Sequence, residues 1–232
     1  MVVDRALGED PGAYVCLTNV HTTVESQGSA ALRAAAANAF LSVPDGMPLV
    51  WILRRRGHPT TEKVTGIEFA PMVAEAGLDQ EVRHFFFGGA DGVAEKAAAG
   101  LTRMVPGTKV VGTITPPFSD RGDWSIEELQ AEVERTRAQV LWVGLGAPRQ
   151  EIWMSQVAGR LNVPVMVGVG AAFDFLAGTK KAAPKILRHV GLEWAFRLLS
   201  EPRRLWRRYL GGNAYFVYLL ARSAMARNPP AR

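Results

Sequence analysis

Six short runs of this chain are apolar almost throughout: Tyr14–Thr18, Leu49–Leu53, Val82–Phe87, Lys109–Thr113, Val140–Gly144 and Val163–Val169. A strand with one face in water alternates apolar and polar residues, whereas a strand covered on both faces does not. These runs therefore predict a parallel sheet with helices on either side. Helical periodicity fills the gaps, over Ser26–Leu41, Glu68–Ala76, Asp91–Leu101, Ser125–Thr136 and Gln150–Leu161. Ser125 with Glu128 forms a capping box, and Asp91 after Gly88-Gly89 suits an N-cap. The repeated β-then-α order gives an α/β fold, an open, mostly parallel, Rossmann-like sheet. Sites in such sheets lie at the carboxyl ends of the strands.

With 232 residues the chain is long enough for one α/β core and a small appendage. We place the core at 1–186 and a helical C-terminal appendage at 187–232. The single cysteine, Cys16, cannot form an intramolecular disulfide, which favours a reducing compartment, the cytoplasm. No apolar run approaches the roughly 20 residues of a spanning helix. Met1 to Gly12 carries Asp4, Glu9 and Asp10 without a signal-like apolar stretch. Neither secretion nor membrane spanning is expected.

Charge is distributed unevenly. The chain carries a net +5, but residues 187–232 hold nine arginines, no lysine and two acids, a net +7, which leaves −2 for the rest. Tryptophan, tyrosine, phenylalanine and leucine interleave with those arginines at helical spacing. Arg203, Arg204, Arg207 and Arg208 fall on one broad helical face. Arginine mixed with large apolar groups suits the rim of an anionic membrane. It suits nucleic acid less well, because apolar groups gain little at a phosphate backbone. The plainer alternative is an amphipathic helix pair packed on the core with a solvated basic face. Pro202 predicts a helix start and Gly211-Gly212 a stop before Asn213 caps another helix.

Four strand-to-helix junctions carry polar residues that a scaffold does not require. Thr18-Asn19-Val20-His21 reads first as a helix cap. Pro44-Asp45-Gly46 reads first as a turn, but it follows the apolar Phe40–Val43 run, which pushes the carboxylate into a crevice. A carboxylate against a low-dielectric wall has its charged form disfavoured and can act as a base near neutral pH. Phe87-Gly88-Gly89-Ala90-Asp91 delivers a glycine pair to a helix start, where backbone amides can meet phosphate. Val143 to Glu151 puts Pro148 at a helix start with Arg149 and Gln150 over the sheet edge. Neither a dinucleotide fingerprint nor a Walker loop occurs. The four histidines are scattered without metal-ligand spacing, and no G-x-S-x-G supports a serine hydrolase. No metal or cofactor is expected.

Taken in order, Pro44-Asp45-Gly46, Val64-Thr65-Gly66, Phe87-Gly88-Gly89, the Val143–Glu151 stretch, Gly168-Val169-Gly170 through Gly178, Ala183-Pro184 and Gly191-Leu192-Glu193-Trp194 resemble the WecG/TagA/CpsF glycosyltransferases over about Tyr14 to Leu220. The resemblance implies metal-independent, inverting transfer of a sugar, often N-acetylmannosamine or its uronic acid. The donor it implies is a UDP-sugar and the acceptor is polyprenyl-diphosphate-linked, at the inner face of the membrane. It assigns Asp45 as catalytic base, and Thr18, Asn19, Gln150 and Asp174 to the substrate pocket. Lys63 stands where the family carries arginine before Val-Thr-Gly, keeping the charge for the leaving diphosphate but losing the bidentate fork. Gly88 and Gly89 are expected at that diphosphate, and Arg197, Arg203, Arg204, Arg207 and Arg208 at the membrane and the lipid diphosphate. Against the family pattern the chain opens close to its first recognisable strand, so the family's N-terminal β–α unit is expected to be absent or truncated.

The expected partners are a UDP-sugar, a polyprenyl-diphosphate-linked acceptor and an anionic membrane surface, with a homo-oligomer compatible and nucleic acid not among them. Two rivals are a nicotinamide-dependent oxidoreductase, which lacks its G-x-G-x-x-G turn, and a non-catalytic membrane adaptor, which would use the tail and leave the crevice inert.

Overall fold

The computed structural model describes residues 1–8, 10–117, 126–184, 187 and 191–227, with the backbone alone at 204, 207, 208 and 224–227. Six parallel strands form one sheet in the order β2-β1-β6-β5-β3-β4. They are β1 (Ala13–Thr18), β2 (Leu41–Pro44), β3 (Arg83–Gly88), β4 (Lys109–Ile114), β5 (Val140–Gly144) and β6 (Val165–Gly168). Successive side chains of each strand feed cores on opposite faces. Phe86, Trp142, Val15 and Val167 pack on one side, and Phe85, Phe87, Cys16, Leu141 and Met166 on the other.

Helices α1 (Val2–Ala6), α5 (Gly66–Ala76), α6 (Val93–Met104) and α9 (Ala172–Leu176) cover the first face. Helices α7 (Glu127–Thr136) and α8 (Arg149–Val157) cover the second. Helix α3 (Ala30–Ala37) is tied to that side by the Tyr14 hydroxyl, which donates to the Ala35 carbonyl at 2.6 Å. The local signals for α5 are complete. Thr65 caps it while Glu68 accepts from the Thr65 amide at 3.2 Å and the Thr65 hydroxyl at 2.7 Å.

The structure corrects several elements. Leu49–Leu53 is not a strand but the middle of α4 (Met47–Arg55), and the strand lies earlier, at Leu41–Pro44. Only Val50 of α4 is buried, so its apolar run borders a cleft instead of entering the sheet. The helix expected over Ser26–Leu41 is two, α2 (Val20–Gly28) and α3, because the Ser29 side chain accepts from the Leu32 amide and starts a new helix. Gly92, not Asp91, is the N-cap of α6, since the chain turns there at φ +71°. The Ser125 capping box lies outside the described residues.

At the C-terminus come α10 (Glu193–Ser200), α11 (Pro202–Trp206) and α12 (Gly212–Arg227). Gly211-Gly212 does not stop the chain. A π-helical turn over Arg207–Gly211 carries it directly into α12. Leu205 and Phe216 are buried anchors of this region, whereas Leu199, Trp206, Leu210 and Val217 are exposed. Among the described residues no helix is long and apolar enough to cross a membrane.

Candidate active site

The edge strand β2 pairs with β1 so that Pro44 lies opposite Thr18. One residue further, the Asp45 amide donates to the Thr18 carbonyl at 2.7 Å, fixing Asp45 just beyond the carboxyl edge of the sheet. The Val64 amide donates to the Pro44 carbonyl at 3.1 Å and brings Lys63 alongside. Asn19, which follows β1, caps α2 by accepting from the Thr22 amide at 3.1 Å. That capping bond commits the amide oxygen, and the Asn19 side chain beside Asp45 favours the charged form of its carboxylate.

Asp45 opens onto a cavity of about 410 Å³. Asn19, Lys63, Glu193 and Arg197 share it as polar groups, while Trp51, Ile52, Trp194, Phe216 and Val217 supply apolar lining, with Arg55 and Tyr209 also present. Burial among these groups, and next the Glu193 carboxylate, push the Asp45 carboxyl up to about 6 against the pull of Arg197, Asn19 and Lys63. A carboxylate that changes charge there is placed to accept a proton near neutral pH. Lys63 faces Glu193 at 3.5 Å, so two cations and two acids stand together.

Of the residues expected at the leaving diphosphate, Lys63 lines this cavity, whereas the glycine pair sits elsewhere on the same edge. Strands β3 and β5 are neighbours whose chains leave in opposite directions, towards β4 and β6, which makes their carboxyl ends the switch point where crevices open in such sheets. Gly88 lies there at φ +122°, and a Cβ on it would stand 2.6 Å from the Gly144 carbonyl carbon. Close packing against β5 thus accounts for this glycine without a ligand. The Gly89 amide donates to the Gly144 carbonyl at 3.0 Å, so it is engaged in the sheet and not aimed at a crevice.

Gln150 is buried beneath Gly168 and Gly170; its amide N–H donates to Glu151 at 2.9 Å, and its Oε1 has no hydrogen-bond partner. Asp174, on α9, pairs with Lys180 at 3.0 Å, and Lys180 reaches Glu201 at 3.4 Å. None of Gly88, Gly89, Gln150 and Asp174 lines the Asp45 cavity. Arg197 lies between the Asp45 cavity and Lys180, the partner of Asp174. It borders the Asp45 cavity and a second one of about 300 Å³ that Lys180 and Glu201 also line, and its guanidinium lies 5.5 Å from the Phe175 ring centre.

Arg197 therefore faces inward, whereas Arg203 is exposed. The side chains of Arg204, Arg207 and Arg208 lie outside the described residues. Sequence reasoning missed Glu193, seen only as part of Gly191-Leu192-Glu193-Trp194. Its signal was the i, i+4 spacing to Arg197, which puts both on one face of α10. Trp51 and Arg55 carry no such signal, because the Leu49–Leu53 run reads as a buried strand and not as α4. Among the described residues no three His, Cys, Asp or Glu side chains are grouped to hold a metal ion.

Comparison with known proteins accords with this arrangement. An enzyme of Bacillus spizizenii (strain ATCC 23059 / NRRL B-14472 / W23), named N-acetylglucosaminyldiphosphoundecaprenol N-acetyl-beta-D-mannosaminyltransferase, is 26% identical over 223 residues, which cover 96% of this chain and 84% of that one. The model of the glycosyl transferase WecG/TagA/CpsF family matches residues 2–230. With nearly the whole chain matched, and a carboxylate and cations gathered at the carboxyl edge of a parallel sheet, the chain belongs to the WecG/TagA/CpsF family of glycosyltransferases.

Proposed function

We propose that this glycosyltransferase moves N-acetylmannosamine, its uronic acid or another hexose from a UDP-sugar to a polyprenyl-diphosphate-linked saccharide, inverting the anomeric centre without a metal. The observation that carries this reading is the Asp45 carboxyl, held at about 6 inside a cleft that also presents Lys63 and Arg197. In the step proposed, Asp45 takes the proton of an acceptor hydroxyl as the oxygen forms its bond to the anomeric carbon. The bond from that carbon to the UDP oxygen breaks, and its electron pair leaves on the β-phosphate. One displacement inverts the centre. Lys63 and Arg197 meet the charge that leaves.

The relative's printed name supplies the acceptor class, a lipid diphosphate bearing N-acetylglucosamine. In this reading residues 187–232 are the docking appendage on an anionic membrane at its cytoplasmic face. Supporting that role, Leu199, Trp206, Leu210 and Val217 leave large apolar surface exposed beside the exposed Arg203 and Arg222. Such a combination binds the interface of an anionic bilayer.

The test is a screen of UDP-sugars against a prenyl-diphosphate N-acetylglucosamine acceptor in chelator, following UDP. Release of UDP matched by a glycosylated lipid is expected for one donor. UDP release from none of them, with the acceptor unchanged, would reject the reading.

A further inference from the structure

We propose that Glu193 competes with a substrate diphosphate for the Lys63 ammonium, so that the cleft carries its own stand-in for the anion it binds and releases. The inference rests on the glycosyltransfer reading above and gives Glu193 a task beyond its effect on Asp45.

Three observations carry it. Glu193 Oε2 stands 3.5 Å from Lys63 Nζ, with Lys63 only 12% exposed and Glu193 26%, and both line the Asp45 cavity. A phosphoryl oxygen approaching Lys63 from that cavity meets a carboxylate already in contact with the cation.

The two partners also differ in how firmly they are held. Lys63 lies beside the end of the edge strand, where the Val64 amide on the Pro44 carbonyl fixes the neighbouring backbone. Glu193 begins α10, a helix with no buried residue. Its ties to the rest of the molecule include Lys63–Glu193, Lys180–Glu201 at 3.4 Å and Arg197 on Phe175. Gly191, at φ +77°, precedes it. A helix with no buried residue, held by these contacts and by the Trp194 ring against Tyr209, yields more readily than one locked into the core, so Glu193 is the member that moves.

The third is charge. Asp45 and Glu193 offset two of the three cations that line the cavity, Arg55, Lys63 and Arg197, and so weaken its attraction for a diphosphate. Displacing Glu193 frees a second cation for the incoming phosphates. Its return after transfer competes with the product diphosphate and speeds departure, which lowers affinity in exchange for turnover.

Full-length protein is titrated with UDP and, separately, with farnesyl diphosphate. The variants are Glu193→Gln, Glu193→Asp, Lys63→Met and the double variant Lys63→Met/Glu193→Gln. Losing a carboxylate normally weakens a site or leaves it unchanged. Here Glu193→Gln is expected to tighten one diphosphate about tenfold at low salt, and Glu193→Asp, which withdraws the carboxylate by a methylene, to tighten it less. The ligand that tightens identifies whether Lys63 serves the nucleotide or the lipid. In the Lys63→Met background the Glu193→Gln effect is expected to vanish. Equal or weaker binding of both ligands by Glu193→Gln, with the wild type binding normally, would overturn the proposal. A wild type that binds neither diphosphate would instead bring down the glycosyltransfer reading, and this inference with it.

Discussion

Replacing Asp45 with asparagine should stabilise the protein above neutral pH while sharply slowing its catalysis. The folded protein raises the Asp45 carboxyl from 3.8 to about 6, with burial the larger cause and Glu193 the next. A raised carboxyl means that the fold favours the protonated form. Its contribution to stability is fully present below the unfolded value near 3.8 and is lost as pH rises through about 6. Each pK unit corresponds to 1.36 kcal/mol, so ionising Asp45 costs the wild type about 3 kcal/mol at pH 8, as an upper figure. Asparagine has nearly the same volume and never ionises. Urea unfolding of the two proteins at pH 3.5 and pH 8 isolates the effect. The variant should gain about 2–3 kcal/mol relative to wild type between the two pH values, which for a chain of this size raises Tm by about 4–10 °C at pH 8. A variant whose advantage is the same at both pH values, or which is less stable at pH 8, would refute the claim that the cleft disfavours the Asp45 charge.

Other sites offer independent checks. His84 is buried, accepts from the Trp142 indole N–H at 3.2 Å and is held down to about 4 by burial. Its contribution is present above 6.5 and lost as pH falls towards 4, so His84→Gln should flatten the acid side of a stability–pH curve by about 2–3 kcal/mol. The Cys16 thiol is buried and pushed up to about 12, mainly by burial and then by Glu151. A disulfide reagent at pH 8 should label it at the rate of unfolding, and immediate stoichiometric labelling of native protein would contradict its burial. Gly88→Ala forces a Cβ to 2.6 Å from the Gly144 carbonyl carbon at φ +122°, and should cost about 3–5 kcal/mol by chemical denaturation.

The sheet was legible because its strands carry apolar residues on both faces. Val15, Phe86, Trp142 and Val167 all point into one core, and the residues between them point into the other. Strand β2 was misplaced for a physical reason. Leu49–Leu53 is more apolar than Leu41–Pro44, but β2 is a four-residue edge strand with a single buried residue, Val43. The error mattered, because a strand at Leu49–Leu53 would put Asp45 at the amino edge of the sheet, away from any crevice. Asp45 and Lys63 could be picked out in sequence, whereas Glu193, 130 residues from Lys63, meets it only through the fold. The glycine pair has a packing role that its sequence does not reveal, since Gly88 lies close against β5 and the Gly89 amide is bonded within the sheet.

The central claim is that Asp45 takes the acceptor proton. It is tested most directly by kcat of wild type and Asp45→Asn for sugar transfer to the lipid-linked acceptor, measured from pH 5 to 9. Wild-type kcat should fall below about pH 6, with the fall absent in the variant, whose kcat should be lower by about 10²- to 10⁴-fold with the donor KM within a few-fold. A variant that turns over at near wild-type rate with the same acid limb would contradict it.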